Sequence, residues 1–283
     1  MRLHLVLSPH FDDGVLCCGG LLARQVAAGE SGLILTICAG DPPPIAGESA
    51  FAASLAGAFA DDAAYVAARR EEDRRAASRL GVESLHWEYP DCIYRSAPNG
   101  ALAYDTPEKV FGEVHTAERG AFVGALAIRI QALCDALHPA VVYAPLTVGH
   151  HVDHQIVHWA ASLLTPRGWR LRFYEDYPYT VLPGALQAAL GREGRWAPEV
   201  ELLPDAALEA KMAAIARYES QLPGLFGPQA LAIAASAPEA DLGTPESVTY
   251  EEPESAMRRQ VKAFACSLSG AGPAERYWRR VQP

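Results

Sequence analysis

The feature that most constrains this chain is the alternation of short apolar runs with segments of helix length. Residues 3–8, LHLVLS, form a first run, and the segment GVLCCGGLLARQVAAGE behind them has helical spacing. Further strands are predicted at 33–39, near 84–88 and at 140–145, with helices between them. Short runs that are apolar throughout are typical of parallel strands buried on both faces. The pattern predicts an α/β fold, a Rossmann-like, mainly parallel sheet with helices on both faces.

The second half of the chain continues this alternation and then loses it. A helix is predicted at about 152–164, followed by a strand in RLRFYEDYP and a helix in AALEAKMAAIARYESQ. The stretch 222–273 is rich in Pro, Ala, Gly and Ser, which indicates an irregular C-terminal extension with one helix near 254–266. With 283 residues, half of them hydrophobic, the chain is expected to form a single domain over 1–283, with a core at about 1–221 and an extension at about 222–283.

Charge and cysteine content exclude several classes of protein. The formal net charge of −10 provides no surface for neutralising phosphates, so a nucleic-acid partner is not expected. The apolar run at the N-terminus is broken by Pro9 and is too short for a membrane span or a signal sequence. No cysteines form a CxxC pair, and they are interpreted as buried thiols of a reducing, cytoplasmic protein. A homo-oligomer is compatible with the sequence.

Two polar clusters follow predicted strands. His10, Asp12 and Asp13 follow the first strand, and the segment TVGHHVDHQIVHWAASLL follows the strand at 140–145. The carboxyl ends of parallel strands share one edge of the sheet, where ligands bind in folds of this kind. The sequence therefore predicts that both clusters lie on the same edge.

The second cluster starts a helix whose histidines and apolar residues occupy different stripes. His151, His154 and His158 share one stripe, apart from the apolar stripe that contains Val152 and Ile156. The histidines are therefore expected to point away from the face that packs on the sheet.

A catalytic zinc needs about three protein ligands, and imidazoles and carboxylates are among its usual ones. His10, Asp13 and His154 would meet that requirement if the two clusters converge. Asp12 would then remain available as a general base. Zinc is the expected metal, and another divalent ion is an alternative.

Structural alternatives stand beside these assignments. Asp12 and Asp13 are at a helix start, where aspartate is a favoured N-cap. His158 is interpreted as a supporting or surface histidine, and His150 as part of a loop or a gate to the site.

The two clusters, in this order, resemble the P-H-x-D-D and H-x-D-H motifs of the LmbE/PIG-L-like zinc N-deacetylases. SPHFDD matches the first motif and HVDH the second. The segments RREEDRRAASRLGV, YPD and KMAAIARYESQ are also similar to family segments, and the resemblance covers about residues 3–221. Such enzymes remove acyl groups, often acetyl, from amino sugars within glycoconjugates.

The resemblance implies a role for each matching residue. The zinc ligands would be His10, Asp13 and His154. Asp12 would be the base that activates a zinc-bound water, and His151 would steady the oxyanion or protonate the leaving amine.

Two further residues match positions that contact the sugar. They are Arg69, with Arg70 as a competing match, and Asp91. The chain departs from some relatives at Gly149, where they have a tyrosine that polarises the carbonyl. Either the metal and His151 act without it, or another tyrosine such as Tyr174 or Tyr177 takes its place.

The sequence therefore predicts a zinc-dependent N-deacetylase acting on a small-molecule N-acetylglucosamine-type conjugate. Two alternatives remain open. One is a metal-dependent hydrolase of a non-sugar amide or ester, and the other is a metal-containing binding module without turnover.

Overall fold

The fold is built on a seven-stranded sheet. A computed structural model describes residues 2–44, 50–57, 59–227 and 251–281. The strands are β1 (Leu3–Ser8), β2 (Ser31–Thr36), β3 (Glu83–His86), β4 (Val141–Pro145), β5 (Leu171–Tyr174), β6 (Arg195–Leu202) and β7 (Ala274–Val281).

The strand order is β3-β2-β1-β4-β5-β7-β6. The first five positions are parallel, whereas β7 is antiparallel to both β5 and β6. β1 runs in register with β2, so that Leu5 faces Leu33. These observations confirm the predicted α/β fold with a mainly parallel sheet.

Helices cover the sheet. They are α1 (Asp13–Ala27), α2 (Ala50–Ala56), α3 (Asp62–Leu80), α4 (Pro107–Val110), α5 (Thr116–Leu137), α6 (Val152–Ser162), α7 (Ala185–Arg192), α8 (Asp205–Ile215), α9 (Leu222–Phe226) and α10 (Pro253–Ser267). Gly81 ends α3 in the left-handed conformation, with φ of 73°, because a residue without Cβ adopts it at little cost.

The C-terminal extension contributes to the core. The predicted helix near 254–266 is confirmed as α10, but β7 was not anticipated. Glu275 of β7 is buried and accepts hydrogen bonds from the amides of Gly20 and Leu21 in α1. Lys211 of α8 donates to the same carboxylate at 2.7 Å. The predicted irregular stretch between α9 and α10 includes residues 228–250, which lie outside the described residues.

The structure also bears on the predictions about the cysteines and about membrane spans. All six cysteines are free, but Cys266 is exposed, so the prediction of buried thiols is wrong for that residue. By length and composition alone, α5 could cross a membrane. Its Val123, Leu126 and Ile130 are buried within the protein, whereas Ile128 is exposed.

Candidate active site

The site lies where the strand order changes direction. β1 is flanked by β2 on one side and by β4 on the other, so the connection from β1 to β2 and the later connection into β4 run to opposite sides of β1. The carboxyl ends at such a switch point open a crevice. The loop after β1 contains His10 and Asp12, and the loop after β4 leads to His151. The prediction that both clusters share one edge is confirmed.

Two histidines converge on one carboxylate oxygen. Nδ1 of His10 lies 3.2 Å from Oδ2 of Asp13, and Nε2 of His154 lies 3.3 Å from the same atom. All three residues are buried. The backbone amide of His10 also donates to Oδ2 of Asp13, at 2.8 Å, which fixes the carboxylate within the loop.

The other nitrogen of each ring faces a second carboxylate. Nε2 of His10 lies 3.1 Å from Oδ2 of Asp153, and Nδ1 of His154 lies 2.6 Å from Oδ1 of Asp176. Metal-binding histidines commonly donate their second ring N–H to a carboxylate in this way, which orients the ring and fixes its tautomer. Donor atoms of His10, His151 and His154 also lie within 4.8 Å of one another. The imidazole nitrogens of these histidines, together with the Asp13 carboxylate, are donors that fit a divalent metal ion.

Asp12 lies beside this cluster and makes a different contact. It occupies the N-cap position of α1, but its side chain makes no capping hydrogen bond. Its Oδ1 accepts from Nη2 of Arg69 at 3.2 Å. Burial raises the pKa of Asp12, and Asp13 raises it further, whereas Arg69 and His10 lower it. The capping alternative is therefore not supported for Asp12, and its carboxylate faces the cluster with a raised proton affinity.

His151 is held by the start of α6. As the N-cap residue, it accepts the backbone N–H of Asp153 at Nδ1, at 3.2 Å. Burial lowers the pKa of His151 well below its ordinary value, and His10 and His154 lower it further. A neutral ring that accepts at Nδ1 carries its hydrogen on Nε2.

The structure distinguishes Arg69 from Arg70, the two arginines that match the sugar-contacting position. Arg69 points to Asp12, whereas Arg70 donates to the carbonyl of Ala39 and to Asp41, at 2.7 and 2.8 Å. Asp91 caps the turn that follows it, through the amide of Ile93, and its Oδ2 is 3.5 Å from Nε2 of His10. Both Arg69 and Asp91 therefore border the cluster.

The other two histidines have structural partners. His158 donates from Nδ1 to the carbonyl of Pro145 at 2.7 Å, and its ring packs 4.7 Å from that of Phe173. It does not join the cluster, but it faces the sheet, so the expectation that the whole histidine stripe points away from the sheet is wrong. His150 lies in the loop before α6, with φ of 63° and about 4.0 Å from Glu113.

A tyrosine stands over Gly149. A Cβ built on Gly149 would lie 2.5 Å from Cγ of Tyr179. The Tyr179 ring is 6.4 Å from that of His154 and 5.5 Å from that of Phe111, and within the described residues its hydroxyl makes no hydrogen bond. Burial raises the pKa of Tyr179, and Asp13 and Asp12 raise it further, so the phenol is neutral.

Neither tyrosine named from the sequence occupies this place. The Tyr174 hydroxyl donates to the carbonyl of Leu7 at 2.9 Å within the sheet. Tyr177 packs against Phe226 and Phe264, away from the histidine cluster. Sequence reasoning also overlooked Asp153, inside HVDH, and Asp176. The position of Asp176, two residues after β5, was the available signal for the second of these, because β5 ends at the same edge of the sheet.

The fold and the cluster define a class, the hydrolases in which buried histidines and carboxylates hold a divalent metal. Comparisons with known proteins give the family. The PIG-L model, described as GlcNAc-PI de-N-acetylase, matches residues 5–164. The 2'-N-acetylparomamine deacetylase of Niallia circulans is 30% identical over 240 residues, which cover 81% of this chain and 84% of the relative.

Solved structures agree over nearly the whole chain. A teicoplanin deacetylase in its bog complex superposes with a TM-score of 0.77, and the zinc-inhibited form of teicoplanin deacetylase with 0.78. Each is 25% identical, with 98% of this chain and 97% of the other covered. The chain belongs to the PIG-L family of deacetylases, which are hydrolases that act on amides.

Proposed function

We propose that this protein is a zinc-dependent N-deacetylase that releases acetate from the N-acetylated amino sugar of a conjugate. Relatives named 2'-N-acetylparomamine deacetylase and teicoplanin deacetylase support this substrate class. His10, Asp13 and His154 would hold the metal, which supplies Lewis acidity towards a water molecule and the amide carbonyl when it is bound.

Asp12 is proposed as the general base. Its carboxylate adjoins the cluster, and it does not share the Asp13 contacts to both histidines. Burial gives it a raised pKa, which favours proton abstraction from the attacking water. The Arg69 guanidinium holds one carboxylate oxygen and thereby orients the other. The proton then passes to the departing amine as the C–N bond breaks.

His151 and Tyr179 are proposed to stabilise the negative charge that develops on the acyl oxygen. A neutral His151 with its hydrogen on Nε2 is a donor, and the unbonded Tyr179 hydroxyl is a second one. Donors fixed before the reaction stabilise such an oxyanion without a cost of reorganisation. Phe111, which packs edge-on against both rings, keeps this arrangement rigid.

Arg69 and Asp91 are proposed to contact the sugar. Both lie at the border of the cluster, and each retains polar atoms beyond the contacts described above. A carboxylate and a guanidinium together provide acceptors and donors for sugar hydroxyls.

We also propose a cytoplasmic location, because all six cysteines are free and five of them are buried. Cell fractionation with compartment markers tests this location. Recovery of the protein outside the cytoplasm would contradict it.

The observation that carries the function is the position of Asp12 beside a convergent His–Asp–His set. The test is acetate release from a panel of N-acetylated amino-sugar conjugates, with wild-type protein and Asp12→Asn. The variant is expected to retain zinc and to lose about 10²–10⁴-fold in kcat.

Asp41→Asn is a matched control, because Asp41 also pairs with an α3 arginine but is largely exposed and, within the described residues, makes no contact with the histidine cluster. It should leave turnover unchanged. If Asp12→Asn hydrolyses the sugar substrates at a near-normal rate, the base assignment is wrong. Turnover of simple amides or esters but not of any amino sugar would favour a non-sugar hydrolase, and zinc binding without turnover of either would favour a binding module.

A further inference from the structure

We propose that Arg95 is a positioning residue for His10, acting through Asp153. The inference rests on the proposed function, because it takes His10 to be a metal ligand. Arg95 follows the short turn Cys92–Tyr94, far in sequence from both motifs.

A continuous chain of charged contacts joins these residues. Nη1 of Arg95 lies 2.5 Å from Oδ1 of Asp153, and Oδ2 of Asp153 lies 3.1 Å from Nε2 of His10. The amide of Cys92 donates to that same Oδ2 at 3.0 Å. Oδ1 of Asp153 therefore forms an ion pair with Arg95, without a hydrogen bond of ordinary geometry, and Oδ2 faces the ring of His10 on the side opposite the proposed metal position.

Arg95 is itself held from the other side. Its Nε donates to Oε1 of Glu118 at 2.8 Å, and Glu118 also accepts from the hydroxyl of Tyr104. The guanidinium lies over the rings of Tyr104 and Phe122, 5.5 and 5.7 Å from their centroids. The arginine thus has little freedom to leave Asp153.

Burial explains why the arginine is needed. Asp153 is 1% exposed and Arg95 9% exposed. A lone buried carboxylate is strongly disfavoured, and without its cationic partner it would turn away from the position that it holds beside His10. Oδ2 of Asp153 accepts the Nε2 hydrogen of His10, so that Nδ1, on the side of Asp13, is the nitrogen that a metal would take. Arg95 therefore keeps His10 in the tautomer and orientation that a metal requires.

The contacts also join two parts of the chain. Glu118 is in the first turn of α5, and Tyr104 is in the segment between Asp91 and α4. Docking of this segment is consequently coupled to the orientation of His10. We expect loss of the coupling to weaken metal binding more than it weakens the fold.

The experiment compares Arg95→Met with Arg172→Met in the full-length protein. Arg172 is a matched control, because it is largely buried and pairs with Glu199 and Glu201 at 2.6 and 2.7 Å, near the start of β5. Zinc affinity is measured by competition with a chromophoric chelator, and stability by thermal unfolding. Arg95→Met is expected to bind zinc about 10–100-fold more weakly, the usual cost of losing a residue that supports a metal ligand. Arg172→Met should bind zinc with wild-type affinity.

Glu118→Gln is a milder test of the same series of contacts, because Glu118 lies one contact further from His10 than Arg95 does. It should weaken zinc binding about 3-fold while the protein stays folded, and it decides the question if Arg95→Met does not fold. Wild-type zinc affinity in folded Arg95→Met, or in Glu118→Gln where Arg95→Met does not fold, would overturn the role of Arg95. A wild-type protein that binds no zinc would overturn the proposed metal site first, and the two failures are thus distinguishable.

Discussion

The ring of Tyr179 lies directly over the α-carbon of Gly149, in the space that a side chain at residue 149 would occupy. Gly149 follows β4 and Tyr179 follows β5, so two neighbouring strand ends bring them together. The absent side chain at one position is thus complemented by an aromatic ring from another, and the phenol reaches the histidine cluster.

Tyr179→Phe should reduce kcat with little change in KM. The substitution removes one hydroxyl donor, and the loss of a single oxyanion donor costs about 10²–10³-fold in kcat. Steady-state acetate release measures the effect. Tyr177→Phe is the control, because this neighbour is buried against Phe226 and Phe264. A kcat for Tyr179→Phe within about threefold of wild type would remove Tyr179 from the proposed mechanism.

Gly149→Ala should affect activity as well as stability. Gly149 has φ of 86°, a conformation that costs a non-glycine residue about 1–3 kcal/mol. The added Cβ would also displace Tyr179. Gly168→Ala is a matched control, because its φ is 87° and a Cβ there meets no atom within 4 Å.

Thermal unfolding and kinetics separate the two effects. Both variants should lose stability because of the backbone conformation, Gly149→Ala more than Gly168→Ala because its Cβ also meets Tyr179, and only Gly149→Ala should lose turnover. Equal activities in the two variants would show that the position of Tyr179 does not matter for catalysis.

Zinc binding near pH 7 should release protons. Burial alone lowers the pKa of His154, but Asp13 and Asp176 more than reverse this and raise it to about 9 in the metal-free protein. The pKa of His10 is also raised, since Asp91, Asp13 and Asp153 outweigh the effect of burial. Both rings are therefore protonated at neutral pH, whereas a metal requires neutral nitrogens.

We expect the release of nearly two protons per zinc at pH 7 and progressively fewer as the pH rises above 9. Calorimetric titration in buffers of different ionisation enthalpy measures this number. The raised pKa of His154 also makes the stability of the metal-free protein depend on pH. Because the folded pKa of His154 is raised, its contribution is complete below about pH 6.5 and is lost as the pH rises through about 9. Binding without proton release would contradict the protonation states.

Local sequence predicted the half of the site that follows β1 and β4. His10 to Asp13 and HVDH each lie within a few residues of a strand end, and adjacent parallel strands bring such segments together. Asp176, Tyr179 and Arg95 were missed because their proximity depends on the strand order and on the path of long connections. A glycine at 149 is visible in the sequence, but which ring fills the space above it is not.

The strands of the fold, like the residues of the site, could be predicted only where the local sequence was sufficient. The apolar strands β1 and β4 are evident from composition, whereas β7 contains Arg276, Arg279 and Arg280 and has the appearance of a charged segment. It pairs with β6, which begins about 80 residues earlier, and no local pattern encodes that pairing. Its Glu275 is buried and has hydrogen-bond partners in α1 and α8.

Glu275→Gln should therefore destabilise the protein strongly without altering its chemistry. The carboxylate is buried and accepts from two α1 amides, from Lys211 and from the Tyr277 hydroxyl. An amide in its place presents a donor to these donors and leaves the Lys211 charge uncompensated, a loss of about 3–5 kcal/mol. Chemical denaturation measures the loss, and kinetics below the unfolding transition should match wild type because Glu275 contacts no residue of the cluster. Glu209→Gln, which breaks an exposed pair with Arg258, should change stability by less than about 1 kcal/mol. Equal denaturation midpoints for the two variants would show that the contact between β7 and α1 does not hold the extension to the core.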